Sequence, residues 1–157
     1  MEYPLHDERL EMWALDMARH VAKLSKDPST QVGAVLFDAK RRFVSAGYNG
    51  LPRGVKDLPA RLEDRAVKYK MIRHAEANAI SFATAPLDGA TLVVTHPCCA
   101  QCAGAAIQAG IAHVVWPLPD AAFRARWADD IRLVQEMFDE AGVEIHAVGN
   151  NVKGNAL

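Results

Sequence analysis

An α/β fold, with helices on both faces of a mixed sheet, is what the sequence predicts. Two observations carry this. Strand-like and helix-like patterns alternate from the middle of the chain onward, the signature of βα units. Before them, two apolar runs separated by a short polar turn read as a hairpin, which adds antiparallel pairing to the sheet.

The elements follow in order. From about Glu8 to Leu24, the residues Leu10, Trp13, Ala14, Met17, Val21 and Leu24 recur at three- and four-residue spacing, which predicts an amphipathic helix. Asp27-Pro28-Ser29-Thr30 is turn chemistry and stops it. Gln31 to Phe37 reads as a strand, Asp38 to Arg41 as a turn, and Arg42 to Tyr48 as the returning strand. Asn49 to Lys70 is polar, with Gly and Pro early and charges late, and reads as a functional loop holding a short helix. His74 to Thr84 and Cys99 to Ala109 are Ala-rich helices, the second stopped by Gly110. Ala90 to Thr95 and Ile111 to Trp116 are short apolar strands, and Pro117 to Asp120 is a loop. Ile131 to Ala141 is a helix ended by Gly142, and Val143 to Ala147 is a last strand. Gly149 to Leu157 reads as a loose polar tail. With 157 residues and no long linker, residues 1–157 form a single domain in this reading.

Composition narrows the partners. The net charge is −1 and the charges are dispersed, unlike the basic stripe of a protein that grips polynucleotide. A small molecule is the expected ligand. No apolar run approaches the roughly 20 residues that cross a bilayer, and the N-terminal segment does not read as a signal peptide. The three cysteines, Cys98, Cys99 and Cys102, make a poor disulfide framework and point to a metal site in a reducing, cytoplasmic setting.

Two clusters carry chemistry. His74-Ala75-Glu76 opens one predicted helix and Cys99-Ala100-Gln101-Cys102 opens another. Cysteines at i and i+3 point two thiolates the same way, and the helix N-terminus favours the ionised form. His74 supplies a third ligand. Three protein ligands leave one position open on tetrahedral zinc, which separates a catalytic site from a structural one. Zinc in such a site lowers the pKa of water from about 15.7 toward roughly 7. Glu76 lies two residues from a ligand, so it can shuttle protons without binding the metal. Taken singly, the Cys pair also reads as a redox couple or half of a structural zinc site, with His96 and Cys98 as the remaining nearby ligands. Together, the clusters match the zinc-deaminase pattern of His-x-Glu followed by Pro-Cys-x-x-Cys.

Four blocks in order extend the pattern: Ser25 to Val35 (SKDPSTQVGAV), Gly47 to Gly54 (GYNGLPRG), His74 to Ile80 (HAEANAI), and Cys99 to Ala103 with Ile107 to Ile111 (CAQCA…IQAGI). On these blocks the chain resembles the deoxycytidylate deaminase family of the cytidine deaminase superfamily, over most of its length. The resemblance implies a three-layer αβα sandwich around a mixed sheet of about five strands. It implies hydrolysis of dCMP to dUMP and ammonia with one zinc per chain. It also implies that Asn49 hydrogen-bonds the nucleotide, that the backbone near Thr95 and His96 receives the leaving amine, and that the loop holding Lys26 lies near sugar and phosphate. Relatives form homo-oligomers and some respond to dCTP and dTTP, so both are expected here by resemblance.

Three departures qualify this. Cys98 stands where the family has the proline before its first ligand Cys; aligning the downstream residues makes Cys99 and Cys102 the ligands and leaves Cys98 as an alternative ligand or an oxidation-prone neighbour. Leu24 stands where some members carry Arg, and Trp116 where many carry Tyr, which bears on the phosphate contact. The stretch between Gly54 and His74 lacks the Cys or His with which some members hold a second zinc. Deamination of CMP, a 5-modified dCMP or a nucleoside stays open at this point, as does a non-catalytic zinc-stabilised module. Arg124, Arg126 and Trp127 read either as a phosphate contact or as a solvated helix start with one aromatic packed inward.

Overall fold

Five strands form one mixed sheet in the order β2-β1-β3-β4-β5, in a computed structural model that describes residues 7–149. The chain runs α1 (Glu8–Ala22), β1 (Gly33–Phe37), β2 (Phe43–Tyr48), α2 (Pro59–Leu62), α3 (Arg65–Met71), α4 (Ala75–Ser81), β3 (Thr91–Val94), α5 (Ala100–Gln108), β4 (His113–Pro117), α6 (Ala121–Arg126), α7 (Ala128–Ala141) and β5 (Glu144–Val148). β1 pairs antiparallel with both β2 and β3, while β3, β4 and β5 run parallel. The mixed α/β sheet is therefore as the sequence predicts. The expected tail lies outside the described residues apart from Gly149.

Local chemistry sets the element ends. Asp7 caps α1 by accepting from the Arg9 amide at 2.9 Å. The helix ends at Ala22, short of Leu24, because the amides of Lys23, Leu24 and Ser25 turn back to carbonyls three residues earlier. Two short helices, not one, lie in the 49–70 stretch; Asp64 caps the second through the amides of Ala66 and Val67. α6 goes beyond the sequence expectation, which offers only a helix start, as one of two readings, at Arg124 and Arg126. Asp120 caps it by accepting from the Phe123 amide at 2.7 Å. It carries Arg124 and Arg126, and Trp127 packs tilted against Phe123 at 6.2 Å between ring centroids. Gly142 closes α7 at φ 73°, the left-handed position that glycine favours.

Side chains alternate across the sheet and build two apolar layers. Val35, Phe37, Val93, Val115 and Val148 pack under Ala14, Leu15 and Ala18 of α1. Ala34, Leu36, Leu92, Val94, Val114 and Trp116 face Ala75, Ala79, Ala103, Ala106, Val134 and Phe138 of α4, α5 and α7. The result is the three-layer sandwich. Among the described residues no helix is long and apolar enough to cross a membrane.

Two glycines let helices sit directly on strands. A Cβ at Gly33 would lie 1.9 Å from the Ala18 carbonyl oxygen of α1, and one at Gly47 would lie 2.4 Å from both Ala75 O and Ala79 N of α4. These obstacles are backbone atoms, which cannot swing aside. Gly47→Ala is accordingly expected to lower stability by about 1–3 kcal/mol. Gly104→Ala, mid-helix with only the Met137 methyl at 3.7 Å, is expected to raise it by about 0.5–1 kcal/mol. Urea denaturation reads both; equal stability of the Gly47 variant and the parent would contradict the close-packed account of α4.

Candidate metal centre and active site

Three contacts carry α4 to its place. Gly50 and Arg73 exchange backbone hydrogen bonds at 3.1 and 2.8 Å, fixing the residue before His74 to the end of β2. Asn78 Nδ2 donates to the Tyr48 carbonyl at 2.8 Å, and the buried Ser45 hydroxyl donates to the Ala79 carbonyl at 2.6 Å. His74 is the N-cap residue of α4, in extended backbone, so its imidazole leaves the helix axis toward α5.

Cys99 is the N-cap residue of α5, and its sulfur accepts from the Cys102 amide at 3.5 Å. His74 Nδ1 lies 3.5 Å from Cys99 Sγ and 3.4 Å from Cys102 Sγ. A tetrahedral zinc with Zn–N of about 2.05 Å and Zn–S of about 2.3 Å separates nitrogen and sulfur ligands by roughly 3.5 Å. The observed spacing fits that ion, and one histidine with two thiolates is a zinc donor set. His74, Cys99 and Cys102 form one ligand group whose donor atoms all lie within 4.8 Å of one another. Hydrogen bonding from Cys102, with help from His74, lowers Cys99 toward the thiolate. The same bond to Cys99, with burial, raises Cys102. The bond to Cys99 raises His74.

Glu76, in the first turn of α4, is buried, and burial pushes its carboxyl above the usual carboxylate range. The Cys98 thiol donates to that carboxylate, and its own burial, with Glu76 beside it, holds it protonated. Cys98 therefore faces the acid and does not join the ligand group.

The other sequence-predicted residues divide between two places. Thr95 and His96 line a cleft of about 520 Å³ at the carboxyl ends of β3 and β4, with Gln31, Pro97, Pro117 and Phe123. The Thr95 hydroxyl lies 2.9 Å from His96 Nδ1, and burial lowers the imidazole's pKa. Lys26 lies in the 25–32 loop, and Asn49, directly after β2, bonds into it. Asn49 is buried; its Oδ1 accepts from the Val32 amide at 2.8 Å, and its Nδ2 donates to the Thr30 carbonyl at 2.9 Å and to Asp27 at 3.4 Å. What it retains for a ligand is the second lone pair of Oδ1. Lys26 is exposed and paired with Asp57 at 2.7 Å.

Sequence reasoning missed Asp27 and Lys68 as an organising pair. Lys68 Nζ donates to Asp27 Oδ1 at 2.9 Å and to the Ser29 hydroxyl at 3.2 Å, and both side chains of the pair are buried. Burial alone would raise Asp27, but Lys68 and the amides of Ser29 and Thr30 more than offset it and hold the carboxyl low. Removing one partner of such a pair costs about 3–5 kcal/mol. Lys68 carries no motif signal, being one cation in a charged stretch.

Comparison with known proteins adds the family. The family model "Cytidine and deoxycytidylate deaminase zinc-binding region" matches residues 8–118. An uncharacterized deaminase in the luxG 3′ region of Aliivibrio fischeri is 45% identical over 139 residues, covering 87% of this chain and 93% of that one. The deoxycytidylate deaminase of Homo sapiens is 36% identical over 128 residues, covering 78% of this chain and 70% of that one. Among solved structures, the dCMP deaminase of cyanophage S-TIM5 in complex with dCMP and dUMP shares the fold. Its TM-score is 0.70 at 23% identity, over 90% of this chain and 98% of that one.

The ligand geometry yields a contrast between adjacent cysteines. Cys102→Ala is expected to lose the zinc of this centre, read by elemental analysis after dialysis, whereas Cys98→Ala is expected to keep it. Loss of zinc from the Cys98 variant in a folded protein would mean that the ligand set is misassigned.

Proposed function

We propose, for a chain that belongs to the cytidine and deoxycytidylate deaminase family of zinc-dependent hydrolytic enzymes, that it converts dCMP and water to dUMP and ammonia. The observation that carries this is Glu76. A buried carboxyl with a raised pKa stands two residues from His74, at the helix end that meets Cys99 and Cys102. The dCMP assignment is supported by the deoxycytidylate deaminases among the relatives and by the dCMP and dUMP bound to the cyanophage neighbour.

His74, Cys99 and Cys102 would hold zinc, which when bound would supply the Lewis acidity that makes water a nucleophile near neutral pH. The protein moves the protons. Glu76 takes one from the attacking water as the bond to C4 of cytosine forms and passes it to N3, then takes the remaining hydroxyl proton and gives it to the exocyclic nitrogen as the C4–N bond breaks, leaving C4=O and N3–H. Its raised pKa brings its protonated form closer to neutrality, as a group that must both accept and donate requires. The backbone at Thr95 and His96 receives the departing amine. Asn49 Oδ1 accepts from the nucleotide, and the Asp27–Lys68 pair holds its loop in register. Lys26 reaches the phosphate by exchanging Asp57 for it. The same reading places the activity in the cytoplasm, where three thiols stay reduced, in a homo-oligomer responsive to dCTP and dTTP.

Ammonia release from dCMP, CMP, 5-methyl-dCMP and deoxycytidine tests the reading, with Glu76→Gln alongside. The expected result is preference for dCMP and a loss of at least about a hundredfold in the variant, with zinc unchanged. Full turnover by Glu76→Gln would remove the proton-transfer role. Preference for another member of the panel would move the substrate.

A further inference from the structure

We propose that His113, Glu144 and His146 form a second site, for a divalent transition-metal cation such as zinc, with Glu11 as the residue that orients His146. The site lies at the amino ends of β4 and β5. His113 opens β4 and pairs with Glu144, which opens β5, while His146 pairs with Val115. Side chains two apart on a strand share a face, so all three lie on the α1 side with Val115 and Val148. The His74–Cys99–Cys102 centre lies beyond the opposite, carboxyl end of β3.

The spacing is that of ligands. Glu144 Oε2 lies 3.4 Å from His113 Nδ1 and 3.5 Å from His146 Nε2. Both distances are long for hydrogen bonds to a carboxylate, which run about 2.7–2.9 Å when charge-assisted. A tetrahedral ion with metal–ligand bonds of about 2.0–2.1 Å separates its nitrogen and oxygen ligands by roughly 3.3–3.4 Å. Donor atoms of the three residues all lie within 4.8 Å of one another.

Glu11 gives the second argument. Its Oε1 lies 3.0 Å from His146 Nδ1, so that ring nitrogen is engaged by Glu11. Nε2 is then the ring nitrogen turned toward the Glu144 carboxylate, 3.5 Å away, where a cation could lie between the two. Carboxylate, histidine and metal in series is the usual support for a metal-bound imidazole. The two carboxylates balance one divalent ion, and imidazole with carboxylate suits zinc. The side chains of His113, His146 and Glu11 are only 10%, 22% and 10% exposed, whereas that of Glu144 is 62% exposed and leaves a path from solvent. A metal here ties α1 to the edge strand β5 through Glu11 and His146.

Titration of the full chain with zinc, followed by dialysis and elemental analysis, is expected to reach two ions per chain. Cobalt substitution tells the sites apart, because only the cysteine centre gives thiolate-to-metal charge-transfer absorption. Glu144→Gln, at an exposed position, is expected to hold one ion and keep the thiolate band. Glu11→Gln is expected to weaken the second ion about 10- to 100-fold. One ion per chain in the parent protein, or two in Glu144→Gln, would overturn the proposal. In the first case the cluster is a polar contact network of His146 with Glu11 and Glu144.

Discussion

Everything at the metal centre depends on how closely α4 lies on β2. With no side chain at Gly47, the backbone of α4 rests on the strand at contact distance, and the reciprocal hydrogen bonds of Gly50 and Arg73 set where the helix begins. His74 and Glu76 inherit their positions from that contact. α4 and α5 both contribute buried alanines, Ala75, Ala79, Ala103 and Ala106, to one apolar cluster. Alanine matters because larger side chains would separate the helices and spread the three ligands. Good packing therefore precedes the chemistry: ligand spacing is a consequence of small residues at a helix–sheet and a helix–helix contact.

The second level of order is polar. The 25–32 loop contributes little apolar surface, and its shape comes from buried hydrogen bonds centred on Asp27, Asn49 and Lys68. Each group satisfies another, which is the condition for burying them at all. The loop leads straight into β1, whose carbonyl at Gly33 accepts from the Thr95 amide. One network thus connects the loop, the hairpin and the segment after β3 that borders the cleft.

The sheet, its mixed pairing and the metal ligands were legible in the sequence because each rests on local signals. Period-2 runs mark strands, and His74-x-Glu76 and Cys99-x-x-Cys102 sit at helix starts, where backbone direction aims the side chains. His74, Cys99 and Cys102, which the sequence pairs as ligands, come together in one candidate ligand group that leaves out the neighbouring Cys98. Other features were not local. α6 is six residues long with no apolar period, and beyond the basic cluster of Arg124 and Arg126 only its Asp120 cap announces where it begins. Lys68 reaches Asp27 across 41 positions of sequence, and no motif encodes that reach. His113, Glu144, His146 and Glu11 come from two strands and a helix, so they become neighbours only once the register of β4 with β5 is known. Asn49 is legible as a residue type suited to a substrate contact, whereas the bonds that tie it to the 25–32 loop appear only in the fold.

The central claim is an open zinc centre with three protein ligands and Glu76 beside it. X-ray absorption at the zinc edge, on protein loaded with one equivalent of zinc, tests it most directly. Two sulfur neighbours at about 2.3 Å and two nitrogen or oxygen neighbours at about 2.0–2.1 Å are predicted, one of the latter displaced when a cytosine nucleotide analogue binds. Three sulfur neighbours, with Cys98 drawn in and no change on adding the analogue, would describe a closed structural site and contradict the account.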